Sequence, residues 1–166
     1  MNKRGQLQLS FGMIFSIFLM VVFVAVAIYA INAFLGMQCD VETGAFIRDL
    51  ENQINELWIS SGGGDFNFEN KLCSKINYVC FYDVARDITG EYSDIARTFK
   101  EQTDESGKTH NFYFYPQKGA NIPSVYIKHI NIEELSKNPL CIKKVNDKIS
   151  IKLEKERDES LVRVGD

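Results

Sequence analysis

The chain has little of what catalysis usually requires. Its two histidines, His110 and His129, stand apart, and no H-E-x-x-H, G-x-S-x-G or Walker glycine loop occurs, because Gly62-Gly63-Gly64 is not followed by Gly-Lys-Ser/Thr. Each histidine reads as a surface or strand residue. Glu133 and Glu134 are adjacent, so they point in different directions on a helical turn and do not make an acid and base pair. No C-x-x-C is present, which argues against a thiol redox centre and a four-cysteine zinc site. An N-x-Ser/Thr glycan acceptor is missing too. These absences lead to the expectation of a non-enzymatic protein with no cofactor and no resident metal.

The most informative absence is charge. From Gly5 to Cys39 there is no Asp, Glu, Lys or Arg, directly after Lys3 and Arg4. Ile17 to Ile31 is unbroken apolar sequence, and Phe11 to Leu35 admits only Gly12, Ser16 and Asn32 as non-apolar residues. As a helix this window would run roughly 37 Å at about 1.5 Å per residue, enough to cross a hydrocarbon core of about 30 Å. One membrane span over 11–35 is therefore expected, with lipid as its partner. Lys3 and Arg4 precede it and Asp40 and Glu42 follow it, so the positive-inside rule puts the N-terminus in the cytoplasm and the rest outside. A secretory signal peptide has a shorter apolar region, usually about 7 to 15 residues. Ala27, Ala30, Ala33 and Gly36 recur at three-residue steps, a stripe of small side chains compatible with self-association in lipid.

All four cysteines, Cys39, Cys73, Cys80 and Cys141, follow the span, and an even count in a small exported domain reads as two disulfides. Three connectivities are open. The first choice is Cys73 with Cys80, closing a tight loop, which leaves Cys39 for Cys141. Beyond the span, 17 basic residues (19 − 2) face 22 acidic ones, a balance that argues against nucleic acid. Charge is uneven within that part. Asp40 to Glu69 holds seven acids and only Arg48, whereas Lys137 to Arg157 holds seven bases against three acids. The two segments are solvated faces or neighbours, or the acidic side of one copy meets the basic side of the next.

Phe46, Ile47, Leu50, Ile54, Leu57 and Trp58 recur at steps of three and four, which predicts an amphipathic helical extension over 36–61, stopped by the three glycines. Strands are expected at Asp65 to Glu69, Ile76 to Tyr82, Asn111 to Tyr115 and Ser124 to Ile130. A second helix is expected over Val84 to Phe99, a polar loop over Thr103 to Thr109, and one helical turn at Ile132 to Ser136. Leu140 to Val145, Asn146-Asp147 and Lys148 to Glu154 read as a hairpin with Ile149, Ile151 and Leu153 on its buried side. Leu161 to Val164 would add an edge strand. The expected fold class is α+β: a transmembrane helix, an amphipathic extension, and a small antiparallel sheet in an extracytoplasmic domain over 65–166.

Lys3-Arg4-Gly5-Gln6 before an apolar helix resembles the class III signal peptide of archaeal type IV pilin-like proteins, and the helix-then-sheet order resembles their layout. The resemblance implies that a prepilin-type peptidase cuts after Gly5 within segment 1–10, making Gln6 the new N-terminus. Removing Lys3 and Arg4 would free the helix to leave lipid and pack beside its own copies, since dragging two unpaired cations into apolar surroundings costs several kcal/mol. Where many such proteins carry a glutamate, five residues into the mature helix, this chain has Ser10, with Gln6 and Gln8 as nearby polar groups. The function implied is a subunit of a surface filament or of its assembly apparatus. An uncleaved signal anchor carrying a binding or accessory ectodomain is the alternative.

Overall fold

The computed structural model describes residues 11–99 and 107–165. Lys3 to Gln6, Gln8 and Ser10, and part of the expected loop at 103–109, lie outside the described residues. The chain divides into two units, Met1–Met37 and Gln38–Asp166.

Helix α1 covers Phe11–Ile59. Every side chain from Phe11 to Phe34 is exposed, so this stretch has no protein partner for its apolar surface among the described residues. Its helix is long and apolar enough to cross a membrane. Ser16 turns its hydroxyl inward on the helix, donating to the Gly12 carbonyl at 2.8 Å.

In the second unit the same helix becomes one-sided. Phe46, Leu50 and Ile54 are fully buried at four-residue steps, while Arg48, Asn52 and Asn55 on the other side stay in solvent. The helix ends at Ile59. Lys155 reaches back from far along the chain, and its Nζ donates to the Trp58 and Ser60 carbonyls at 2.7 and 3.0 Å, supplying a cation to a helix C-terminus that has no basic residue in its last turn. Gly63 then reverses the chain at φ 70°. A side chain there would meet the Lys155 carbonyl at 2.5 Å, so this glycine is required by both conformation and space.

Among the described residues seven strands follow: β1 (Gly64–Lys71), β2 (Tyr78–Phe81), β3 (Phe112–Tyr115), β4 (Ser124–Val125), β5 (Leu140–Lys143), β6 (Lys148–Lys155) and β7 (Arg163–Gly165). They form two antiparallel sheets, of order β1-β6-β7 and β4-β3-β2-β5. The fold is α+β, a long apolar helix followed by small antiparallel sheets. Phe46 sits where helix and sheets meet, its ring 5.3 Å from that of Phe68, 6.3 Å from Phe112 and 6.1 Å from Phe114.

Several expectations need correction. The hairpin turn at Asn146 and Asp147 exists, with φ of 51° and 61°, but the strands it joins separate after a single bridge between Val145 and Lys148. β5 pairs with β2 over four residues and β6 pairs with β1 over eight, so the two strands lie in different sheets. The helix expected over Val84 to Phe99 shrinks to α2, Ser93–Ala96. Gly90 takes φ 86°, and buried Asp83 and Asn138 hold the preceding segment in turns: Asn138 accepts from the Asp83 N–H and donates to the Asp83 carbonyl. The expected helical turn at Ile132 to Ser136 is not helical, and of Ser124 to Ile130 only Ser124–Val125 is a strand.

The cysteine pairing also differs. Cys39 bonds Cys73, and Cys80 bonds Cys141. Cys80 and Cys141 lie directly opposite each other on β2 and β5, with Cα atoms 4.0 Å apart. Cys73 sits in the loop before β2, and the extended strand carries Cys80 away from it, so sequence proximity does not bring that pair together.

Candidate functional site

His110, His129 and the Glu133–Glu134 pair, none of them expected to be catalytic, occupy separate places in the fold. Among the described residues no group of three His, Cys, Asp or Glu side chains could hold a metal ion. His110 Nδ1 lies 2.9 Å from the hydroxyl of buried Ser124, with Tyr82, Asp83 and Thr109 around a neighbouring recess of about 280 Å³. Asp83 turns its carboxylate to its own loop, accepting from the Ala85 N–H at 2.9 Å, so these groups serve local structure. Glu133 and Glu134 are exposed.

His129 stacks on Trp58 with ring centroids 3.7 Å apart, and Trp58 Nε1 donates to the Ser160 carbonyl at 3.0 Å. Burial against the indole, with Lys128 and Lys108 nearby, holds the imidazole below its ordinary pKa. Glu51, beside a recess with Asn55 and Lys128, is pushed up by burial, and Lys128 partly offsets that rise. These contacts pin the Ile59 end of α1 to the sheets.

The other end, at Cys39, gathers three loops. The Cys39–Cys73 bridge attaches the loop between β1 and β2 to the helix. Next to it, the Leu72 N–H donates to the Asp147 carbonyl at 3.0 Å and Lys144 Nζ donates to the Cys73 carbonyl at 2.9 Å, which holds the Asn146–Asp147 turn at the same end. The third loop, between β3 and β4, places the Gly119 carbonyl 3.2 Å from Cys39 Sγ, a contact without a proton because that sulfur is in a disulfide. Asn121 donates to the Asp40 carboxylate. A side chain at Gly119 would lie 2.6 Å from the Lys75 carbonyl, so glycine alone lets these loops close on each other.

This end has a distinct surface. Val41, Ile122 and Val145 are 71%, 43% and 63% exposed, a density of bare aliphatic side chains not needed by the core. Lys71, Lys75, Lys118, Lys143 and Lys148 are all exposed, and among the described residues none of them has an ion-pair partner. Of the nearby acids, Asp40 is engaged by Asn121, Glu42 by Gln38 and Asp147 by Lys144 at 3.5 Å, while Glu69 lines a recess together with Lys143, Val145 and Lys148.

The β1–β6 ladder orders charge along its outer face. Asp65 opposes Glu154 at one end, Asn67 opposes Lys152, Glu69 opposes Ser150, and Lys71 opposes Lys148 at the Cys39 end. The acidic and basic segments of the sequence are thus neighbours in one sheet. Lys152 answers the acid pair, bonding Glu154 and attracting Asp65. Lys71 and Lys148 form no ion pair among the described residues, although like charges directly opposite destabilise a strand pair; Glu69 is the acid next to them on that face.

No protein-family model, curated protein or solved structure matches this chain. Gly5 and Gln6, the expected processing residues, lie outside the described residues. Sequence reasoning did not single out Lys155, Gly119 or the unpaired lysines. Only the backbone pairing of β1 with β6 gives Lys71 and Lys148 a common position.

Proposed function

We propose that this chain is a non-enzymatic, single-pass membrane protein whose N-terminus is cytoplasmic and whose unit 38–166 is extracytoplasmic. The observation that carries this reading is that Phe11 to Phe34 is uncharged, helical and exposed at every position, a surface that water disfavours and lipid accepts. Two disulfides with no free cysteine support an oxidising compartment for the second unit. Lys3 and Arg4 before the span, with Asp40 and Glu42 after it, support the orientation.

Within that frame the protein acts as a pilin-like subunit of a surface filament or its assembly apparatus. Lys3-Arg4-Gly5-Gln6 and the helix-then-sheet layout support it. A prepilin-type peptidase would cut after Gly5, and the trimmed helix would associate with its own copies. Ser10, in place of the usual glutamate, favours a second reading: an uncleaved anchor presenting a binding or accessory ectodomain.

Intact mass and N-terminal sequencing of protein from native membranes separate the two. A start at Gln6 is expected, and it should disappear in a Gly5→Leu variant. Retention of Lys3 and Arg4 in the wild type would assign the anchor reading instead.

A further inference from the structure

We infer that the Cys39 end of the second unit is a lipid-docking surface, in which Ile122, Val41 and Val145 enter the headgroup region and unpaired lysines engage lipid phosphates. This rests on the membrane-span reading and adds to it: the unit lies on the bilayer and does not stand clear of it.

Covalent continuity supplies the first argument. Met37 is the last apolar residue before Asp40, the first charge, so Cys39 lies about 3 Å of helix rise beyond the apolar stretch. Three loops are fastened to that point, by the Cys39–Cys73 disulfide, the Asp40–Asn121 hydrogen bond and the Leu72–Asp147 backbone bond. Whatever the tilt of the unit, these loops cannot leave the neighbourhood of the interface. Each loop or its flank brings a lysine without an ion pair among the described residues: Lys75, Lys118, and the opposed Lys71 and Lys148.

Chemistry supplies the second. Lysine and aliphatic side chains together suit the boundary between headgroups and acyl chains, where the stem lies in apolar surroundings and the ammonium reaches phosphate. The opposed Lys71 and Lys148 would lose their mutual repulsion beside an anionic headgroup. At the far end of the same strand pair the acids already have Lys152, so the sheet face is polarised, with its opposed lysines at the Cys39 end.

The test uses the full chain in nanodiscs, with an environment-sensitive fluorescent amino acid at position 122, separately at 145, and at 67 as control. Bilayers are phosphatidylcholine alone or mixed with phosphatidylglycerol. Blue-shifted emission is expected at 122 and 145 but not at 67, strongest with phosphatidylglycerol. The anionic-lipid increment should vanish in 1 M salt, where the Debye length is about 3 Å against about 10 Å at 0.1 M. Each of K71Q, K75Q, K118Q and K148Q should lower the docked-to-free ratio about fivefold. Water-like emission at 122 and 145 in a chain retained by the nanodisc overturns the docking while leaving the span intact. A chain not retained at all overturns the span reading first. A blue shift that appears in detergent and grows with protein concentration assigns the surface to a second copy and overturns lipid docking.

Discussion

Helix α1 is one secondary structure with two chemistries. From Phe11 to Phe34 apolar side chains point in all directions and none is covered, whereas from Phe46 to Leu57 they collect on one stripe and are buried. Backbone hydrogen bonding is the same in both. The difference lies in the width of the apolar face, which decides whether a helix is solvated by lipid or by its own protein. The two sheets repeat the lesson. β6 alternates exposed and buried residues, so one face meets water, while β2 and β3 are buried almost throughout because the Tyr82, Tyr113 and Phe99 cluster covers their second face.

The sharpest way to break the helix comparison is to truncate a ring in each half. Phe46→Ala is expected to cost the second unit about 3–5 kcal/mol, and Phe23→Ala to leave its stability unchanged, as measured by denaturation of the full chain in detergent followed through Trp58 fluorescence. Disulfide removal comes next. Replacing Cys80 and Cys141 by serine should cost about 4 kcal/mol, because 61 residues separate them. The Cys39 and Cys73 pair, 34 apart, should cost about 0.5 kcal/mol less in the same chain-entropy account. Equal or reversed losses would show that the bridge at the helix boundary does more than restrict the unfolded chain.

Gly119→Ala tests the loop gathering at Cys39. About 1–3 kcal/mol is expected, with faster hydrogen exchange over 117–122 and none of that change at Trp58. The smallest effect is at the opposite end. His129 sits below its ordinary pKa of 6.5 because burial, then Lys128 and Lys108, disfavour the imidazolium. As pH falls below 6.5 the unfolded chain takes up this proton before the folded one does. The contribution is therefore fully present above 6.5 and is lost as pH falls through the folded midpoint. Melting temperature should drop slightly over that window, the drop should disappear in His129→Gln, and an NMR titration of the ring protons should show a midpoint below 6.5.

Much of the fold was legible where one pattern dominated. The amphipathic stretch with Phe46, Leu50 and Ile54, the alternation of Ile149, Ile151 and Leu153, and the Asn146–Asp147 turn each carry a local signal that the structure follows. Failures came where the partner was distant. Nothing near Cys80 announces Cys141, since the pairing is fixed by β2–β5 register. The apparent helix over Val84 to Phe99 has the right spacing of apolar residues, yet the side chain of Asn138 supplies hydrogen bonds that hold turns there instead. The candidate site shows the same division. Its two cysteines, Cys39 and Cys73, stand out in the sequence, but the surface around them depends on three loops whose meeting is set by the sheets and by the bare backbone of Gly119.

The Cys39–Cys73 bridge has a mechanical consequence. Tension entering the second unit from its C-terminal side would pass from Cys73 straight to Cys39, bypassing everything from Asp40 to Leu72, and the Cys80–Cys141 bond would likewise short-circuit Phe81 to Leu140. Under load only Ser74 to Val79 and the segment after Cys141 could pay out slack. The amphipathic half of the helix would be spared the pull, and the force would arrive at the apolar half almost undiminished in reach.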